Sequence, residues 1–232
     1  MVRRIDGVIF DSGGTLMRPL TEGWWPYPHA RRVVEAHGCA DLPWERYAEA
    51  HVAGMAHLDA NHRLSSEDEE RAQFHEYYRL VLTGLGLTMP DPALLHALAD
   101  AHITECEFEP YPDALPALQA VCSRELQLGL ISNAWPSLEG KYRRLGLREY
   151  FDPFVISARA GCMKPETAIF EQAIAGIGVL PQRLLFVDDE PDYLAGARAA
   201  GLNAVLLARE GPPEGYGGWW IATLDELTRL LD

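Results

Sequence analysis

Long apolar runs are missing from this chain. Its 232 residues contain no run of about 18 apolar residues, so no membrane-spanning helix is expected. The start, Met-Val-Arg-Arg-Ile-Asp-Gly, has no apolar stretch ahead of a cleavage site and does not read as a signal peptide. Cysteine is sparse: Cys39, Cys106, Cys122 and Cys162 are scattered without Cys-x-x-Cys pairing. That points to a reduced, cytoplasmic setting, with the thiols as small core residues. Bases are outnumbered, 20 against 34 acids, for a net charge of −14. The basic footprint of a nucleic-acid binder is therefore absent, and a bound phosphate must find local positive charge or a metal. Lysine is scarcest, with only Lys141 and Lys164 against 18 arginines, which makes each lysine a candidate for a specific task.

What is present suffices for a packed core: 48% of residues are hydrophobic, enough for one large domain or two small ones. Residues 5–10 read as a short buried strand. From about 20 to 106 the pattern is helical. Trp44, Tyr47, Ala48, His51, Val52 and Met55 recur at helical spacing. Ser66-Glu67-Asp68-Glu69 reads as a capping box ahead of Phe74, Tyr77, Tyr78, Val81 and Leu82. Asp91-Pro92 opens another helix, with Leu94, Leu95, Leu98 and His102 facing inward. After about 107 the rhythm becomes strand, loop, helix. Strands are expected near 128–132, 154–157, 184–187 and 204–207, and helices near 112–122, 137–145, 165–177 and 191–200. Pro165 and Pro191 fit first helical positions, and Gly201 fits a helix stop. This alternation predicts an α/β fold, a parallel Rossmann-like sheet core covered on both faces. The first strand belongs with it, so an all-helical cap domain is inserted: core 1–17 and 107–232, cap 18–106.

Four segments place polar residues just past a strand, where parallel sheets bind ligands. Asp11 follows Val8-Ile9-Phe10; Ser132-Asn133 follows Leu128-Gly-Leu-Ile131; Asp188-Asp189 follows Leu184-Leu-Phe-Val187. Lys164 lies in Gly161-Cys-Met-Lys-Pro-Glu166. A carboxylate can attack phosphorus or an activated carbon and form a covalent intermediate. Two further carboxylates can hold magnesium, which takes oxygen ligands. A hydroxyl, backbone amides and a lysine can neutralise developing phosphoryl charge.

With these segments in order, and Gly196-Ala-Arg-Ala-Ala-Gly201 behind the last, the chain resembles the haloacid dehalogenase-like hydrolase superfamily, helical-cap type, over nearly its whole length. The resemblance implies that Asp11 is the nucleophile and a Mg2+ ligand, joined by the backbone carbonyl of Gly13. Thr15 would hold Asp11 in place. Ser132 and the amide of Asn133 would bind the phosphoryl group, and Lys164 would steady Asp11 and the phosphate. Asp189 would bind the metal, with Asp188 helping through water and Asp192 farther out. The partner would be a small phosphorylated metabolite; monomer and homodimer both stay open.

Gly13 departs from the family pattern, which has a second aspartate there to protonate the leaving oxygen and activate water. General acid–base help is worth on the order of 100- to 10,000-fold. Three explanations stand side by side: substrates with good leaving groups, a proton from the cap or from the substrate, or a site that mainly binds. Sister chemistries weigh in. Haloacid dehalogenases expel halide without a proton, but use no magnesium and lack the doubly acidic fourth motif. Phosphonoacetaldehyde hydrolases need a cap lysine; residues 20–106 contain none, and Lys141 is expected in the core, away from that role. The leading reading is a magnesium-dependent phosphatase; the alternatives are a metal-independent 2-haloacid dehalogenase and a non-catalytic phospholigand-binding protein.

Other groups have plainer readings. His51 and His57 do not share a helix face and read as core or boundary histidines. Trp24-Trp25-Pro26-Tyr27 either lines a pocket or seals a hinge. Glu67-Asp-Glu-Glu70 reads as a helix N-terminus favoured by its dipole.

Overall fold

The computed structural model describes residues 4–231. The chain forms two compact units: one comprises the residues up to Arg18, Glu109–Ala134 and everything from Tyr142 on; the other comprises Pro19–Phe108 with Trp135–Lys141.

The elements follow in order as β1 Gly7–Phe10, β2 Met17–Pro19, α1 Pro28–Ala36, α2 Tyr47–Ala60, α3 Glu67–Gly84, α4 Pro92–Thr104 and β3 Phe108–Pro110. Then come α5 Ala114–Cys122, β4 Gln127–Ser132, α6 Ser137–Arg144, β5 Phe154–Ile156, α7 Ser157–Ala160 and α8 Thr167–Ile177. The last are β6 Leu184–Asp188, α9 Pro191–Ala199, β7 Asn203–Leu207 and β8 Trp220–Ile221. No described helix is long and apolar enough to cross a membrane.

The first unit is built on a six-stranded sheet of order β5-β4-β1-β6-β7-β8, parallel throughout. All residues of β1 and β6 are buried, as apolar strands covered on both faces require. The chain starts at β1, builds outward through β4 and β5, then returns to lay β6, β7 and β8 on the other side. β1 is therefore flanked by β4 and β6. Phe10 pairs with Leu130 on one side and Val187 on the other. That register brings the residues just past these strands to one edge.

Some local expectations need correction. Pro191 does open α9, and Gly201 follows it at φ +91°. Pro165, however, is not helical: α8 starts at Thr167, with Glu166 as its N-cap. The short strands β2, β3 and β8 carry no legible alternation. The four cysteines are not core residues; Cys122 is exposed and the others are half-buried.

In the helical unit, α3 and α4 bury the residues expected of them. The capping box is displaced by one residue. Ser66 accepts from the Glu69 amide, but the Glu69 carboxylate bonds Ser65. The face of α2 differs more: Tyr47, Ala50, Gly54 and Leu58 are buried, while Val52 is 67% exposed. Glycine explains it. A Cβ on Gly54 would lie 2.6 Å from the Tyr77 ring, and one on Gly84 would lie 2.8 Å from Ala50. α2 and α3 thus pack backbone-close along small residues, which a count of large apolar side chains cannot register.

Gly196 imposes a similar constraint in the sheet unit. A Cβ there would lie 2.2 Å from the Pro165 carbonyl oxygen. Alanine within a helix normally stabilises relative to glycine by about 0.5–1 kcal/mol. Here Gly196→Ala is expected to destabilise by about 1–3 kcal/mol, as overpacking does. Urea unfolding of the two proteins checks the sign.

Candidate active site

Asp11 stands one residue beyond β1 and Asp188 ends β6; both are buried. Asp189 follows immediately. One carboxylate oxygen from each of Asp11, Asp188 and Asp189 lies within 4.8 Å of the others. Lys164 reaches this group from the loop before α8. Its ammonium, 2% exposed as a residue, donates to Asp11 Oδ1 at 2.5 Å and Asp188 Oδ2 at 2.6 Å. It also lies 4.6 Å from the centre of the Tyr193 ring, a cation–π contact.

Three carboxylates close to one another, with one ammonium on two of them, leave negative charge in excess. Burial pushes the Asp188 carboxyl well up, with the Asp11 charge adding to it. Burial, then Asp11, pushes Asp189 up to about 6. Burial works against the Lys164 charge, but Asp11 and Asp188 outweigh it and hold its ammonium more firmly protonated. A buried all-oxygen set with surplus negative charge is the chemistry that suits a hard divalent cation such as Mg2+. The acids also divide by their commitments. Both Asp188 oxygens are engaged, one by Lys164 and one by the Glu190 amide at 2.8 Å. Asp189 is engaged through Oδ1, by the Thr15 hydroxyl at 3.1 Å.

That last bond corrects the expected role of Thr15, whose hydroxyl goes to Asp189 rather than Asp11. The loop after β1 turns tightly at its glycines. Gly14 has φ +84°, and a Cβ on it would lie 2.1 Å from Asp189 Oδ2. The loop therefore lies directly against Asp189, which brings Thr15 within reach. Met17 bonds the Ser12 carbonyl and the Gly14 amide, so these turn bonds leave the Gly13 carbonyl out. Gly13 itself is half-buried.

Ser132, at the end of β4, is buried. The Asn133 side chain has a role that its sequence gave no sign of. Its amide donates to the Lys164 carbonyl at 3.0 Å, and its oxygen accepts from the Lys164 amide at 2.8 Å. This reciprocal pair fixes the backbone of the lysine. Tyr142, fully buried, donates to Ser12 Oγ at 2.7 Å; no motif pointed to it. Asp192 is exposed in the first turn of α9.

A profile of haloacid dehalogenase-like hydrolases matches residues 5–201, which include every residue of this cluster. The chain belongs to that family. This hydrolase is 32% identical over 137 residues to a glyceraldehyde 3-phosphate phosphatase from Methanopyrus kandleri, covering 57% of the chain and 58% of the relative. It is 30% identical over 191 residues to a phosphoserine phosphatase from Thermus thermophilus, covering 81% and 70%. The first alignment thus spans little more than half of either protein. The solved L-2-haloacid dehalogenase from Xanthobacter autotrophicus superposes with a TM-score of 0.66, at 21% identity over 98% of both chains. At that identity the likeness is one of fold, and fold does not choose the chemistry.

The plainer readings also resolve. Trp25 packs against Tyr27, His51, Tyr77 and Trp135 within the helical unit, and Trp24 packs against Phe108. His51 is half-buried and bonds the Tyr47 and Tyr77 hydroxyls, as a boundary histidine. Glu70 is not a solvated N-terminal acid. It is fully buried and accepts from the Ser137 amide at 2.7 Å, the Ser137 hydroxyl at 2.6 Å and His102 at 2.9 Å. Burial holds His102 well below the ordinary histidine range, so it is neutral. Lys141 also lies in the helical unit, although residues 20–106 contain no lysine. Its ammonium is buried and bonds both Glu107 oxygens, at 2.7 and 2.8 Å. An amine held in that ion pair is not available for Schiff-base chemistry.

The raised carboxyls carry a pH signature. An acid whose folded pKa exceeds its unfolded value stabilises the fold at low pH, and that contribution is lost as pH climbs through the folded pKa. For Asp189 the loss runs from the ordinary carboxylate range up to about 6, above which it is complete. Metal-free protein is therefore expected to melt lower at around pH 8 than at around pH 5. Mg2+ should raise the melting temperature more at the higher pH. Thermal melts at both pH values, with and without Mg2+, check this. Gly14→Ala should abolish the Mg2+ effect by driving its Cβ into Asp189.

Proposed function

We propose that this chain is a magnesium-dependent phosphatase of a small phosphorylated metabolite, working through an aspartyl-phosphate on Asp11. The observation that carries the reading is the cluster of Asp11, Asp188 and Asp189, with the buried ammonium of Lys164 bonded to the first two. The names of the curated relatives, both phosphatases, support it further.

In this reading a carboxylate oxygen of Asp11 attacks phosphorus, and the bond from phosphorus to the leaving oxygen breaks with its electron pair. Lys164 holds Asp11 in place and offsets phosphoryl charge. Ser132 and the Asn133 amide bind the phosphoryl oxygens. Water then attacks the phosphorus of the acyl phosphate, releasing inorganic phosphate and restoring Asp11. Asp11, Asp189 and the Gly13 carbonyl would hold Mg2+, with Asp188 reaching it through water. The ion, when bound, supplies charge stabilisation to the phosphoryl oxygens.

Gly13 offers no acid to the leaving oxygen. Substrates whose leaving group is already stable as an anion, such as acyl phosphates, suit this site best. The same glycine favours a second reading, a site that binds phosphate without turning it over. The dehalogenase reading is disfavoured, because the second and third carboxylates have no part in halide expulsion.

Asp11→Asn and EDTA are each expected to abolish hydrolysis; survival without metal, with chloride released from a 2-chloroalkanoate, would favour the dehalogenase. Wild type should cleave acetyl phosphate well above alkyl phosphate esters. Gly13→Asp should raise alkyl ester hydrolysis by about 100-fold or more. Wild type that binds phosphate but hydrolyses neither acetyl phosphate nor p-nitrophenyl phosphate would favour the binding reading.

A further inference from the structure

The loop that carries Asp11 has a support outside the four motifs. Arg209 lies two residues past the carboxyl end of β7. Its guanidinium donates through Nη1 to Asp113 Oδ2 at 2.9 Å and through Nη2 to Asp113 Oδ1 at 3.1 Å. The same Nη2 donates to the Thr15 carbonyl at 2.9 Å. The flat of the guanidinium lies over Tyr111, 3.7 Å from the ring centre. Tyr111 is itself tied to this loop, since its amide donates to the Leu16 carbonyl at 2.9 Å. Asp113 is anchored from another side by the Leu224 amide at 2.9 Å.

These contacts fix the cation in every direction that matters. A fork onto a carboxylate sets its plane and an aromatic face sets its tilt. Thr15 is then held at both ends: its carbonyl by Arg209, and its hydroxyl by Asp189 at 3.1 Å. The chain from Arg209 to Thr15 to Asp189 ends on an acid of the carboxylate cluster.

We propose that Arg209 is a positioning residue for the metal site, acting through Thr15 on Asp189 and itself oriented by Asp113 and Tyr111. The inference rests on the magnesium reading of the cluster. Arg209 touches none of the three acids, so its effect is on geometry. Residues of this kind alter metal affinity or activity by about 10- to 100-fold when replaced. Lysine cannot substitute, because a single ammonium cannot form the fork and the Thr15 bond in one plane. An arginine that merely pinned the Leu224 segment to the Tyr111 loop would change the melting temperature and leave metal affinity alone.

The test is calorimetric titration of Mg2+ into metal-free wild type, Arg209→Lys and Arg209→Ala, with a thermal melt of each. Both variants are expected to bind Mg2+ about 10- to 100-fold more weakly. With acetyl phosphate, the Mg2+ concentration for half-maximal rate should rise in parallel, and the substrate KM at saturating Mg2+ should change little. Arg209→Lys, which keeps the charge, carries the test if Arg209→Ala does not fold. Wild-type Mg2+ affinity in folded Arg209→Lys would overturn the inference alone. Wild type that binds no Mg2+ would overturn the magnesium reading and this inference with it.

Discussion

The ammonium of Lys164 lies 2.5 Å from one oxygen of Asp11 and 2.6 Å from one of Asp188. Three carboxylates crowd together here, and burial disfavours the charge of Asp188 and Asp189. Removing one partner of a buried, hydrogen-bonded charge pair leaves the other uncompensated, which is strongly destabilising. Much of the sheet unit is arranged to keep this lysine where it is. Asn133 pairs with its backbone on both sides, so the end of β4 and the loop before α8 are held as one piece. Gly196 lets α9 approach the Pro165 carbonyl more closely than any side chain would permit. The strand order sets β1 between β4 and β6, which makes neighbours of residues 11, 132 and 188.

The helical unit contains buried charge of a different kind. Glu70 collects three donors from Ser137 and His102, and Glu107 takes Lys141 in a two-oxygen pair. Both carboxylates tie Trp135–Lys141 to the rest of the helical unit. Each carboxylate is fully partnered, and a buried ion pair such as Glu107 with Lys141 is weak evidence of stability. The two lysines thus have opposite employments. Lys164 serves a cluster with more acid than base, whereas Lys141 is matched by one glutamate and is chemically quiet.

Gly13 and Gly14 are adjacent and differ in what constrains them. Gly14 is fixed by geometry, since its positive φ and the Asp189 carboxylate both exclude a side chain. At Gly13 the constraint lies in the chemistry, because the family pattern has a proton-transferring aspartate in that place. One glycine lets the loop lie against Asp189, and its neighbour leaves the site without the side chain that the family pattern has there.

Much of the molecule was legible in the sequence. Alternating strand and helix signals imply a parallel sheet, and polar residues just past apolar strands must meet at its ligand edge. The Asp11 segment, Ser132-Asn133, Lys164 and the doubly acidic Asp188-Asp189 could be singled out on that ground. The lack of a side chain at position 13 is also a fact of sequence. Tertiary structure alone decided that the Thr15 hydroxyl meets Asp189, 174 positions away, and that Arg209 grips the Thr15 carbonyl across 194 positions. It alone buried Glu70, and it turned α2 onto Gly54 rather than Val52. The reason is physical. Periodicity and turn chemistry are local, and they report which face of an element is apolar. They do not report which distant surface closes on that face, nor how near a glycine lets it come.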